Sequence, residues 1–152
     1  CKIMTPPEQL QQTIRSLLDS QIQAVLATQH QQQPYTSLMA FKATPDLKQI
    51  VFATYRATQK YANLLANPRA SLLIDNRCND CDDYRNAVAI SVQGAVCEVD
   101  PDRHAELLEL FTGRHPLLRD FVTAADCALL QMDVECYYVV SRFQSVVEWR
   151  PD

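Results

Sequence analysis

The chain has 152 residues, 47% of them hydrophobic and 21% charged, the proportions of one globular domain able to bury a core without disulfide or metal staples. With 14 basic against 18 acidic residues the net charge is −4 and spread out, which argues against nucleic-acid binding, and the longest apolar runs fall far short of a membrane-spanning helix. No secretory signal is legible, although a chain that starts at Cys1 leaves room for a preceding segment, and a cytoplasmic location is expected.

In chain order, TPPEQLQQTIRSLLDS predicts a helix over about residues 6–20. Thr5 can cap it, Pro6 or Pro7 suits its first turn, and Leu10, Ile14, Leu17 and Leu18 recur at helical spacing. IQAVLAT follows as a strand, and QHQQQPYT reads as a turn around Pro34. TSLMAFKA and QIVFAT are strands joined by the turn TPDLK. ATQKYANLLANP is a short helix with Tyr61, Leu64 and Leu65 on one face, stopped by Asn67 and Pro68.

RASLLID and AVAISVQGAVCEV are strands, and Gly94 inside the second predicts a bulge or a close backbone approach. NRCNDCDDYRN between them is a polar, acidic loop. DPDRHAELLELFTGRHP runs as a helix ended by Gly113, and HPLLRDFVTAAD is another helical piece. CALLQMDVECYYVVSRF is expected to hold two strands and SVVEW a last one. No repeat or linker interrupts this order, so residues 1–152 form one domain. Its fold class is mainly β with flanking helices (α+β), an antiparallel barrel, closed or half-closed, over about residues 22–149. Strands and helices alternate too irregularly for a parallel doubly wound sheet.

The stretch YRATQKYANLLANP places Arg56, Thr58, Gln59 and Lys60, all hydrogen-bond donors, where a helix begins. With only Gly94 and Gly113 in the chain, a glycine-rich phosphate loop is excluded, and a helix N-terminus dressed with hydroxyl and ammonium groups is the other device for holding a phosphate. Taken alone, such a start is also an ordinary cap on a solvated face.

Six cysteines without a secretory signal do not make a disulfide framework. Cys97, Cys127 and Cys136 lie in apolar surroundings and read as small buried hydrophobes. Cys78 and Cys81 have the spacing of a zinc half-site or a redox dithiol. No second ligand pair follows, and they sit in an acidic loop rather than opening a helix after a strand, so the segment reads as a loop. His30, His104 and His115 share no metal-binding spacing and are expected at the surface. Trp149 is expected in the core.

The order and spacing of PYTSLMAFKATPDLKQIVFATYRATQKYANLLANPRASLLID, with the later glycine strand SVQGAVCEV, resemble the FMN-binding split β-barrel proteins related to pyridoxamine 5'-phosphate oxidase, from about Gln23 to Trp149. The resemblance implies a homodimer with an FMN at each of two sites between the subunits. It sets Thr58 and Lys60 at the positions of the hydroxyl and the lysine that hold the phosphate, as the helix dipole and free N–H groups there would favour. Gln59 stands where the vitamin B6 oxidases have an arginine. Lys42 matches a basic position near the phosphate or ribityl chain. The backbone of Met39, Ala40 and Phe41 and of Phe52, Ala53 and Thr54 would line the flavin ring. Arg77 is a further candidate, for a phosphate, for a neighbouring subunit, or for pairing with nearby acids.

Ser37 departs from the pattern, falling where the B6 oxidases carry a phosphate-binding arginine. No counterpart of their C-terminal substrate segment with its Arg and His is expected, so B6 oxidation does not carry over. The flavin site does. Three functions follow from it, in order: an FMN-dependent oxidoreductase acting on a small molecule with a nicotinamide, quinone or xenobiotic partner; a non-enzymatic dimer that binds or senses FMN, haem or a deazaflavin; and a cofactor-free scaffold. For the first, the flavin carries the hydride chemistry and no side chain need act as catalyst.

Overall fold

The computed structural model describes residues 7–141 and 145–152. The elements are α1 (Pro7–Ser20), β1 (Gln23–His30), β2 (Gln33–Ala40), β3 (Lys42–Ala43), β4 (Gln49–Tyr55), α2 (Gln59–Ala66), β5 (Arg69–Asp75), α3 (Asp83–Asn86), β6 (Ala89–Glu98), α4 (Pro101–Arg114), a 3-10 turn (Pro116–Leu118), α5 (Arg119–Val122), β7 (Cys127–Ser141) and β8 (Ser145–Trp149). The strands make one antiparallel sheet in the order β2-β1-β5-β6-β7-β4-β3, with β8 added to β7. Its two edges, β2 and β3, are separated only by Phe41, so one run of chain supplies both, and the sheet must curl back on itself. The fold is the expected split barrel.

Alternation along β4 explains its unbroken run of buried residues. Ile50 and Phe52 point into the barrel core, while Val51 and Ala53 point the other way, under α4 and α5 with Leu107, Phe111 and Val122. Helix α1 puts Leu10, Ile14, Leu17 and Leu18 into the barrel core as their spacing predicts. The proposed cap Thr5 and Pro6 lie outside the described residues. Trp149 packs against the core beside Tyr137, their ring centroids 5.6 Å apart.

Gly94 meets both expectations. The ladder shifts there: Gln93 pairs with Cys136 but Gly94 with Val134, leaving Glu135 as the extra residue of a bulge. A Cβ on Gly94 would lie 2.2 Å from the Asp133 carbonyl oxygen. The bulge aims Glu135 at Arg69, whose guanidinium grips it with two hydrogen bonds.

Several expectations are corrected. The first hairpin turns at Gln31 and Gln32, at φ 48 and 70, not at Pro34, which pairs with Gln29 inside edge strand β2, where a missing N–H is tolerated. TSLMAFKA is cut by Phe41 into β2 and β3. CALLQMDVECYYVV is one strand, because the acidic interruption at Asp133 and Glu135 is the bulge and not a boundary. Gly113 lies inside the last turn of α4, and the helix ends at Arg114 because Pro116 bars the helical conformation at His115. Leu65 is 69% exposed, and the buried face of α2 carries Asn63 with Leu64 instead. Cys127 and Cys136 are buried, but Cys97 is exposed. His115 is buried, whereas His30 and His104 are exposed.

Candidate functional site

Strand β1 fixes the geography. It starts beside the end of α1 and finishes beside α2, where the Asn63 side chain donates to the Thr28 hydroxyl at 3.1 Å. The barrel therefore has an α1 end and an α2 end, and the candidate residues divide between them.

At the α2 end, Thr58 is the N-cap. Its backbone is extended at φ −112 and ψ 156, and its hydroxyl accepts the Tyr61 N–H at 3.3 Å. The same oxygen lies 2.9 Å from the Thr54 hydroxyl and donates to the Tyr55 carbonyl at 2.9 Å. Thr54 can also donate to that carbonyl, at 3.2 Å, so Thr58 can turn its proton outward without orphaning Tyr55. The Gln59 carboxamide donates to the Asn63 side chain at 2.6 Å, and Asn63 passes the chain on to Thr28. The backbone N–H groups of Gln59 and Lys60 have no acceptor, and the Lys60 ammonium no partner, among the described residues. Arg56, just before the cap, pairs with Glu98 at 2.9 Å, and Glu98 also accepts from the Tyr61 hydroxyl at 3.1 Å. Partial burial, and then Glu98, push the Tyr61 hydroxyl above its ordinary pKa.

In the middle lies the split. Thr44 donates to the Gln49 carbonyl, so in the alternation of an antiparallel ladder Lys42 and Val51 are the next hydrogen-bonded pair, and Ala40 and Ala53 would be the one after. The ladder stops before reaching them. Met39–Phe41 and Phe52–Thr54 thus face one another across a gap with no strand pairing. The side chains of Met39, Phe41, Phe52 and Thr54 are all buried in the protein, so what these segments offer a ligand is backbone. Ser37 adds a buried hydroxyl oxygen with no hydrogen-bond partner among the described residues.

At the α1 end, Lys42 pairs with Asp19 at 3.5 Å. It is four residues of β4 below Tyr55, about 13 Å at strand rise. Arg77 follows β5, which runs antiparallel to β1 with Leu73 opposite Val25, and so it lies at the α1 end, paired with Asp75 at 3.0 Å. The structure brings Thr54, Thr58, Gln59 and Lys60 together beside the split, and does not bring Arg77 to them.

Sequence reasoning missed Asn63, which has no exposed surface, and His115. The first carried a signal: Gln59 and Asn63 are four apart and so share a helix face. The second carried none. A ring nitrogen of His115 lies 2.7 Å from the carbonyl oxygen of Phe41, the residue just past the last β1–β2 pair. This ties the end of α4 to the junction of β2 and β3.

The profile of the pyridoxamine 5'-phosphate oxidase family matches residues 10–140. The chain belongs to that family. No curated protein matches it. Among solved structures, a heme-binding protein from Mycobacterium smegmatis is similar at TM-score 0.81 and 15% identity, over 98% of this chain and 60% of that one. The heme storage protein HutZ from Vibrio cholerae is similar at TM-score 0.72 and 15% identity, over 88% of this chain and 94% of that one. An FAD-binding protein from Mesorhizobium loti is similar at TM-score 0.69 and 14% identity, over 85% and 90%. At these identities the likeness is one of fold. Among these structures of like fold, flavin and heme binders both occur, and no helix among the described residues is long and apolar enough to cross a membrane.

Proposed function

We propose that the protein is a cytoplasmic homodimer that binds FMN between its subunits and uses it as an oxidoreductase. The observation that carries this reading is the start of α2 beside the split: N–H groups of Gln59 and Lys60 with no acceptor among the described residues, the Lys60 ammonium, and a Thr58 hydroxyl able to turn its proton outward. These donors suit a phosphate dianion, and the positive end of the helix dipole favours it further. The backbone of Ala40 and Ala53, which face the gap where the β3–β4 ladder stops, suits the polar edge of a flavin ring. The buried, partnerless Ser37 oxygen is a polar group still wanting a hydrogen bond. Lys42, at the other end of the split, is set to meet the ribityl chain or the ring. The bound flavin would supply two-electron transfer; this chain's residues bind and orient it.

The dimer is supported by size and surface. Two depressions of the surface, about 240 Å³ beside Thr28 and Arg69 and about 180 Å³ beside Asp19 and Lys42, are smaller than the ~300–1,000 Å³ of small-molecule sites, which favours a flavin held with the help of a second surface. Leu38, Val25 and Leu73 stand in one cross-strand row on the outside of the sheet, with Leu38 61% exposed. Arg77 would then act on the partner's site, if on any.

Titration of the purified protein with FMN, with riboflavin as control, tests the proposal. Micromolar or tighter FMN binding with far weaker riboflavin binding is expected. Equal binding of both removes the phosphate role of α2, and binding of neither removes the flavin reading. Turnover with a reduced nicotinamide and a quinone separates an enzyme from a storage or sensing dimer.

A haem-binding dimer is the second reading, favoured by the heme-binding relatives. His115 serves it poorly, because its ring is buried where the end of α4 meets Phe41. Ligation would fall to the exposed His30 or His104. A haem titration followed by its absorption band discriminates the two.

A further inference from the structure

The loop between β5 and β6 holds two exposed thiols that the flavin reading leaves unused, Cys78 and Cys81. Its fold is set by one side chain. Asp83 accepts the Cys78 N–H at 3.0 Å on each carboxylate oxygen and the Asp80 N–H at 3.1 Å, while the Asp83 N–H donates to the Asp80 carbonyl at 3.0 Å. These bonds hold the Asp83 carboxyl below its ordinary pKa. Between the two cysteines Asn79 adopts the left-handed conformation at φ 61, and the chain bends at Asn79 and Asp80. A disulfide needs Cα atoms about 4.4–6.8 Å apart, a span within reach of two cysteines flanking a two-residue bend in a loop. Among the described residues the Cys78 thiol has only a long contact, 3.8 Å, to the Asn76 carbonyl, and the Cys81 thiol has none.

We infer that Cys78 and Cys81 form a redox-active dithiol that reduces small neutral or cationic disulfides and closes to an intraloop disulfide. One cysteine, as thiolate, attacks a sulfur of the external disulfide, forms a mixed disulfide and expels one thiol. The second cysteine then attacks the protein sulfur of that mixed bond and expels the other. The external disulfide gains two electrons and two protons, and the loop loses both. Selectivity follows from charge: Asp75, Asp80, Asp82 and Asp83 outnumber Arg77 and Arg85, and an anionic disulfide is repelled. Cys97 is the internal contrast. It is exposed but single, and burial of its sulfur, then Asp133, push its pKa up.

The test uses the full chain carrying Cys1→Ser. It is treated with cystamine or with oxidised glutathione and read by intact mass and peptide mapping. Cystamine is expected to yield a protein lighter by two hydrogens, with Cys78 joined to Cys81. Cys78→Ser and Cys81→Ser should each instead keep a stable mixed disulfide. Cystamine should react several-fold faster than oxidised glutathione. The gap should narrow in high salt and in Asp82→Asn, whose carboxylate accepts no hydrogen bond among the described residues. Persistent mixed disulfides at Cys78 or Cys81 in the parent, or no reaction at either, would overturn the dithiol. Equal rates for the two reagents would overturn its substrate class. Neither outcome depends on flavin binding.

Discussion

The two ends of the barrel are closed by different means. At the α1 end the seal is apolar: Leu10, Ile14, Leu17 and Leu18 enter the core from one helix face. At the α2 end it is polar: a hydrogen-bonded chain runs from Gln59 through Asn63 to Thr28, and a second joins Thr54 to Thr58. An apolar seal is non-directional and tolerates small shifts. A buried polar chain costs desolvation of every member and is stable only in one geometry. The α2 end is therefore the end where atoms are held in fixed positions, and it is also where the donors for a phosphate converge.

Removing those donors is the largest change we expect. Thr58→Ala with Lys60→Ala should weaken FMN binding by about 3–6 kcal/mol, since hydrogen bonds to charged groups contribute about 1.5–3 kcal/mol each. Riboflavin binding should not change, and the loss of the cap should lower stability by only about 1 kcal/mol. Fluorescence titration of both flavins checks this; a double variant that binds FMN as tightly as the parent puts the phosphate elsewhere.

The matching change at the other end is Ile14→Ala. Ile14 is fully buried, and the truncation should cost about 3 kcal/mol of stability in urea denaturation. Its FMN affinity should stay within a factor of about two, because α1 packs on β3, β5 and β8 while the phosphate donors stand at the start of α2. If affinity fell with stability, the two ends would not be independent.

The difference between the ends also explains how much was readable in the sequence. The α1 seal is a periodic pattern of like residues, and Leu10, Ile14, Leu17 and Leu18 announce it. The same holds for β4 and for the glycine strand, where Gly94 marks a close approach. Polar closure has no such pattern. Thr58 could be recognised as a helix start, but that Gln59 turns inward to Asn63 depends on Thr28, which is far away in the chain. His115 is buried only because the end of α4 meets Phe41, again a tertiary fact. Asp133 and Glu135 looked like a strand boundary because local composition cannot distinguish a bulge from a break. The split itself, where Ala40 and Ala53 do not pair with one another, rests on the family resemblance and the register and not on either residue.

A smaller effect should connect the two regions. Asn63→Ala removes both hydrogen bonds of a residue with no exposed surface and leaves the Thr28 hydroxyl without its donor. The expected cost is about 2 kcal/mol of stability. Unlike Ile14→Ala, it should also weaken FMN binding, by several-fold, because the first turn of α2 loses its anchor. Loss of stability with unchanged FMN affinity would make the polar chain a seal and nothing more.

The smallest effect appears only in alkali. The Tyr137 hydroxyl donates to the Leu47 carbonyl at 2.8 Å inside the barrel, and burial, followed by the nearby Asp46 charge, pushes its pKa well above that of an exposed tyrosine. A group whose proton is held more tightly in the folded state leaves stability intact below the unfolded pKa of about 10 and removes it as pH rises further. Above pH 10 this one site should steepen the loss by about 1.4 kcal/mol per pH unit. Tyr137→Phe should cost about 1 kcal/mol at pH 7 through the lost hydrogen bond, then lose stability less steeply than the parent above pH 10. The two curves should converge there, in thermal melts from pH 9 to 11. Parallel curves would mean that the ring ionises as freely folded as unfolded, which the closed barrel around it forbids.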